Sequence, residues 1–359
     1  MRIQRIELRK RGLVYGILAS AVLSLLVHVG SRRLLYFDAA LVPYLFATLF
    51  AVFGVVYRYT AWFDRPPTRR LWKQSISVLF APRGIERVGA LLNTVVQQVV
   101  LQRFIQKRGF YRWFMHFSLA WGTMLAFAVT FPLVFGWLHF ATVAGQPYLY
   151  QVYVFGFPQM IFHPDELIGF FFFNALNFSS LMVMVGTVMA FTRRILHPEV
   201  VPNQSFLNDF LPLLILFSVA ATGLLLTFSM RFLEGQFYRV LSTVHCFTVV
   251  IFLVYLPFGK FFHIFQRGAQ LGAAAYIQQK LSGEQSKCLK CGVAFTSKIQ
   301  LTDVKESLRE IGFAYDFKGG GSVQDLCPLC RRRLMMWGQH HQLHGKFDAS
   351  HFKEGIPRG

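Results

Sequence analysis

Two kinds of metal-binding side chain stand out in this chain, and their spacing carries most of its chemistry. His245 and His263 lie 18 residues apart on one apolar stretch. An α-helix turns about 100° per residue, so this separation makes roughly five turns and brings both imidazoles to one face, about 27 Å apart. The hydrocarbon core of a bilayer is ~30 Å thick. Two histidines so placed suit two b-type haems, one near each membrane surface. The second set is Cys288-Leu289-Lys290-Cys291 with Cys327-Pro328-Leu329-Cys330. Four thiolates from paired Cys-x-x-Cys turns match tetrahedral Zn²⁺ or a rubredoxin-type iron. The fifth cysteine, Cys246, is alone inside an apolar segment, so the pattern speaks for metal rather than disulfides.

The elements that must position these residues are membrane spans. The 359 residues are 54% hydrophobic, with 40 phenylalanines, too apolar for a soluble domain. Six apolar segments, roughly 13–30, 40–57, 114–138, 167–191, 209–228 and 240–263, each approach the ~20 residues a span requires. The first follows a basic start without a small-residue cleavage site and reads as a retained anchor. The net charge of +20 is unevenly placed. Residues 58–112 carry eleven Lys/Arg against Asp64 and Glu86, whereas 139–166 carry no Lys or Arg. That asymmetry is the positive-inside signature and argues against nucleic acid as a partner. It predicts a bacterial-type inner membrane protein with both termini cytoplasmic.

His116 begins the third span and His263 ends the sixth, so both fall at the cytoplasmic level on opposite-running helices. An iron between two imidazoles on neighbouring helices would satisfy both rings. Arg112, Lys260 and Arg267 stand at the same level and could pair with haem propionates, or simply anchor the spans. Gly122 could admit a flat macrocycle, though helix packing is the simpler reading. His245 needs a second ligand at its own depth. The third span offers Ala126 and Phe127 there, which leaves His163, beside Asp165, and then His28; His139 falls too far out. Polar groups on span four, Asn174, Asn177, Ser179 and Ser180, also fit a transporter path, but no inverted repeat accompanies them.

Arg112-Trp113-Phe114-Met115-His116, the spacing of His245 and His263, and Gly259-Lys260-Phe261-Phe262-His263-Ile264-Phe265 together resemble the membrane cytochrome b (gamma) subunit of respiratory nitrate reductase and the related membrane subunits of heterodisulfide reductase. The resemblance covers about residues 40–270 and is most specific in the last span. It implies one or two b haems, a quinone (menaquinone or ubiquinone) as electron donor, and delivery to a cytoplasmic iron–sulfur subunit and a catalytic oxidoreductase subunit. On it, His116 and His263 match the inner-haem ligands and His245 one outer ligand. The second outer ligand falls at Ala126 and is absent, and the first span is extra.

The predicted fold class is an all-α integral membrane bundle of six helices with a small cytoplasmic four-Cys module. Its predicted parts are 1–112, two spans and a basic amphipathic loop; 113–270, a haem-binding four-helix bundle; 271–337, the cysteine module; and 338–359, a polar tail. In the loop, Pro66-Pro67 breaks the chain, and Val88, Leu91, Leu92, Val95, Val96 and Val99 are spaced for a helix over 85–108. In the module one short helix is expected, started by Asp303 with Glu306 and ended by Gly312. Gly319-Gly320-Gly321 forms a loop, and His340, His341 and His344 lie in the tail. The alternative to electron transfer is a multispanning transporter or a zinc-ribbon membrane sensor without haem.

Overall fold

The computed structural model describes residues 2–79, 89, 92–196, 204–267, 269, 283–313, 315–317 and 320–343. The protein is mostly helical. Its long helices are α1 (Arg2–Gly30), α2 (Val42–Phe63), α3 (Pro66–Leu79), α4 (Phe110–Val134), α5 (Leu167–Leu196), α6 (Leu211–Phe232), α7 (Tyr238–Tyr255), α8 (Lys298–Glu310) and α9 (Pro328–Leu343). Among the described residues, six helical segments, within α1, α2 and α4 to α7, are long and apolar enough to cross a membrane. No more than 22% of any span's apolar window is buried inside the protein. Such outward-facing Leu, Val and Phe need a lipid solvent, which makes this a multi-pass membrane protein.

The chain divides into two compact units, Met1–Ala61 with Val95–Arg267, and Trp62–Thr94 with Gly268–Gly359. This partition departs from the expected breaks at 112/113 and 270/271. The basic segment after α2 is split, and its first part belongs with the cysteine module.

In the first unit, α4 crosses α5 on small residues. Ser118 and Gly122 are buried on one helix, and Ser179, Gly186 and Ala190 on the other. A Cβ on Gly122 would lie 2.9 Å from the Ser179 carbonyl oxygen, and Ser179 Oγ donates to the Gly122 carbonyl at 2.8 Å. Gly122 therefore serves close helix approach. Ala47, Ala51, Ile215, Phe252, Leu253, Leu256 and Phe261 form one core cluster, against which Phe127 packs.

The α4–α5 connection is a three-stranded antiparallel sheet, β1 (Leu138–Val143), β2 (Gln146–Val154) and β3 (Phe157–Phe162). The spans are helical as expected, and this connecting sheet is an addition that was not foreseen. Phe155 and Gly156 both have positive φ between the paired Val154 and Phe157, as a two-residue hairpin turn requires. Phenylalanine is an unusual first residue there, which hid the hairpin. Phe140, Tyr150 and Phe162 pack their rings against Phe172 and Phe173 of α5.

The expectation of one helix carrying both His245 and His263 is also corrected. Helix α7 stops at Tyr255, and a 3-10 turn, Lys260–Phe262, precedes His263. Leu256 keeps helical geometry at φ −52°, ψ −45°, but Pro257 has no amide proton to carry the ladder on, and Gly259 turns extended at ψ −165°. Arg58 Nη1 donates to the Pro257 carbonyl at 2.6 Å, and Gly54 makes room for the proline ring.

In the second unit, Pro66 opens α3 rather than breaking the chain, since proline is favoured in a first helical turn. Arg69 and Arg70 of α3 form ion pairs with Glu306 and Glu310 of α8. Helix α8 starts five residues before the expected cap, because Ser297 accepts the Gln300 amide proton. Gly312 follows its end at φ +89°. Two elements were not foreseen: the hairpin β4 (Gln285–Lys287) with β5 (Ala294–Ser297), and α9, which extends through 338–343 of the expected polar tail. Gly320 and Gly321 have positive φ as a turn needs, while Gly319, His344 and most of the start (85–91) of the helix expected over 85–108 lie outside the described residues; its described part is broken between Val100 and Arg103.

Candidate functional site

Two clusters carry the chemistry, one in each unit. In the second, the Sγ atoms of Cys288, Cys291, Cys327 and Cys330 all lie within 4.8 Å of one another. Cys291 and Cys327 sulfurs are 3.7 Å apart. A tetrahedron with metal–sulfur bonds of ~2.3 Å has S···S edges of about 3.8 Å, whereas a disulfide is about 2.05 Å. The spacing is that of a metal site. Two hydrogen bonds help build it: the Cys327 amide donates across the knuckles to Cys288 Sγ at 3.2 Å, and the Cys330 amide donates within its own knuckle to Cys327 Sγ at 3.5 Å. Gly292 takes φ +71° where the first knuckle turns.

Burial raises the Cys288 pKa, but the backbone amides of Cys291, Cys327 and Lys290 outweigh it and bring the thiol down to about 6. Burial and the neighbouring thiols push Cys330 up to about 12. One sulfur is thus set up as a thiolate, and all four can ionise together only against a cation. The cluster can hold a metal ion.

In the first unit, His116 lies on α4 and His263 just after the break that ends α7. His263 and Arg267 lie within electrostatic reach of His116. His116 Nδ1 is 2.7 Å from Gln102 Oε1, and His263 Nδ1 contacts the Lys260 carbonyl oxygen. Both partners are acceptors, so the ring proton sits on Nδ1 in each case. Neither Nε2 has a hydrogen-bond partner among the described residues. That is the tautomer in which Nε2 presents a lone pair to a metal.

The cations expected nearby are used differently. Arg267 stacks over Phe104 at 4.5 Å from the ring centroid, and burial together with Arg108 lowers its pKa. Arg112 is exposed in the first turn of α4. Lys260 is held by Asp209 at 2.5 Å, and the same carboxylate takes Arg194 and the Ser205 amide.

His245 stands apart. Its Nδ1 is 2.9 Å from Thr222 Oγ1, whose own proton goes to the Ser218 carbonyl at 2.7 Å. The ring lies over Gly223, near Ser180. No recorded contact joins a second histidine to it among the described residues, and Phe127 fills the space beside Phe252, ring centroids 5.7 Å apart. His163 occupies the turn before α5, where its Nδ1 accepts the Asp165 amide proton at 3.2 Å. That fixes the opposite tautomer, with the proton on Nε2. His28 is exposed near the end of α1, beside a surface cavity with Arg32 and Arg33.

Sequence reading missed Gln102, Thr222, Asp209 and Arg58, because each acts on a partner remote in the chain and none belongs to a motif. No family model matches the chain, and neither a curated protein nor a solved structure matches it.

Proposed function

We propose that this chain is a membrane cytochrome b that passes electrons between the quinone pool and a soluble redox partner, through a haem held by His116 and His263. The observation that carries this reading is the shared tautomer: two imidazoles within electrostatic reach of each other, each tied at Nδ1 to an oxygen acceptor. The donor set fits a bis-histidine haem, and Arg267 with Arg108 makes the surroundings cationic, as propionates require. The bound haem would supply one-electron transfer.

The chain's own residues hold and orient. Gln102 and Lys260 fix the two rings, and Asp209 restrains Lys260 beside His263. The resemblance of the last span to nitrate reductase gamma-type subunits supports quinol, menaquinol or ubiquinol, as donor. On this reading an iron–sulfur subunit and a catalytic subunit receive the electrons on the cytoplasmic side, and the basic segments support having both termini on that side. His245, bound to Thr222, has no second imidazole against it among the described residues, so one haem is the expected content. The cysteine module would hold structural zinc or a single iron.

A second reading, a transporter, draws on a hydrogen-bonded polar chain between α5 and α6. Arg231 donates to Asn174 at 2.9 Å, Asn177 to Asn174 at 3.2 Å, and Thr227 to Asn177 at 2.7 Å. Such groups inside spans are costly and usually functional. The reduced-minus-oxidised optical spectrum of the purified protein separates the two readings. A b-type α-band with one haem per chain supports the cytochrome; a colourless, folded, haem-supplied preparation refutes it.

A further inference from the structure

Between the spans, residues 96–106 form a strap with an unusual backbone. A π-helical turn, Val96–Val100, ends at Leu101, and a single α-turn, Arg103–Gln106, begins two residues later. Gln102 joins them at φ +51°, ψ +39°, the left-handed region that a residue with a Cβ seldom adopts. It is also 5% exposed. A buried amide in a strained conformation persists only where its surroundings over-determine it.

Helix α4 does this from three positions on one side. Trp121 Nε1 donates to the Val100 carbonyl at 3.0 Å, and Trp113 Nε1 to the Leu101 carbonyl at 2.8 Å. Between them, His116 Nδ1 meets Gln102 Oε1 at 2.7 Å. The two indoles satisfy carbonyls that the break in the helix would otherwise leave open. The same strap carries Phe104 beneath Arg267.

We propose that Gln102 is a positioning residue that sets the reduction potential of the iron ligated by His116, by accepting the Nδ1 proton of that ligand. This rests on the haem reading above and deepens it. A hydrogen-bond acceptor at Nδ1 makes the ring more basic and a better donor at Nε2. A more basic ligand favours the ferric state and lowers the potential. The carbonyl of a glutamine is a neutral acceptor of intermediate strength, so a stronger and a weaker acceptor should move the potential in opposite directions.

The test is spectroelectrochemical titration of the full chain in wild-type form and as Gln102→Leu and Gln102→Glu. Leucine removes the acceptor at similar volume, and the midpoint should rise by about 59 mV, a tenfold change in the oxidised-to-reduced ratio for one electron. Glutamate supplies a charged acceptor, and the midpoint should fall. Haem loss from the leucine variant with retention in the glutamate variant also supports the role, because only the acceptor distinguishes them. Unchanged potentials, shifts of the same sign, or haem loss from both variants overturn it and leave Gln102 a packing residue. A wild-type protein without haem removes the parent reading, and that result is seen before any variant is made.

Discussion

The cysteine cluster and the histidine cluster are both metal-type donor sets, yet they are built in opposite ways. The thiols come from two knuckles whose ligands are three residues apart; amides within each knuckle bond its first sulfur, and the Cys327 amide bonds Cys288 Sγ across the two. Each half of the site is therefore specified locally, and bringing the halves together is enough to give tetrahedral spacing. His116 and His263 come from distant parts of the chain, one on α4 and one after the break that ends α7. Their rings are oriented by a glutamine and a carbonyl on other segments. The first design couples metal binding to folding of one small unit; the second couples a ligand to the packing of several spans.

The sharpest way to break this comparison is to remove one donor from each cluster. Cys288→Ser or Cys327→Ser should abolish a stoichiometric metal in the module and expose residues 283–343 to rapid hydrogen exchange, since structural thiolate sites contribute ~10 kcal/mol or more to folding. Elemental analysis and exchange mass spectrometry check this. Metal retained at one per chain by both variants would show that the quartet is not the site. The haem spectrum should survive these changes.

His116→Ala and His263→Ala should do the converse, eliminating the α-band while the module keeps its metal. The effect is smaller in stability because the spans still pack on Gly122, Ser179 and their neighbours. Full haem content in either variant would remove the ligand assignment. Gly122→Leu tests the packing directly. Overfilling the α4–α5 crossing should cost about 1–3 kcal/mol and lower the thermal midpoint in detergent. A midpoint equal to wild type would mean that the crossing is loose.

How much of this was legible in the sequence follows from the same contrast. The spans were readable because apolar length is a local property, and the cysteine quartet because its spacing is a motif. The stop in α7 was also present in Leu256-Pro257-Phe258-Gly259, but helical periodicity over 240–263 overrode the proline. The sheet escaped because its turn uses Phe155-Gly156 in place of Asn-Gly. The tethers of His116 and His245 escaped for a different reason. A glutamine in a strap and a threonine on a span mean nothing until packing places them at an imidazole.

The smallest expected effect lies in the sheet and concerns a histidine outside both clusters. His139 is stacked between Tyr36 and Tyr153, with centroids 3.9 and 4.9 Å away and planes within 19° and 3°. Its Nδ1 is buried without a hydrogen-bond partner among the described residues. Burial, and then the positive field of Arg32, lower its pKa below the ordinary histidine value of about 6.5. A proton therefore binds more readily when the sheet opens than when it is closed. The stack's contribution is complete above that ordinary value and is lost as pH falls through about 6.5 toward the lower folded value. Hydrogen exchange in 138–154, corrected for intrinsic rates, should be faster at about pH 5.5 than at about pH 7.5. His139→Phe keeps a ring between the tyrosines and removes the titration, so its corrected exchange should be flat across that range. Equal pH dependence in the two proteins would place the titrating group elsewhere.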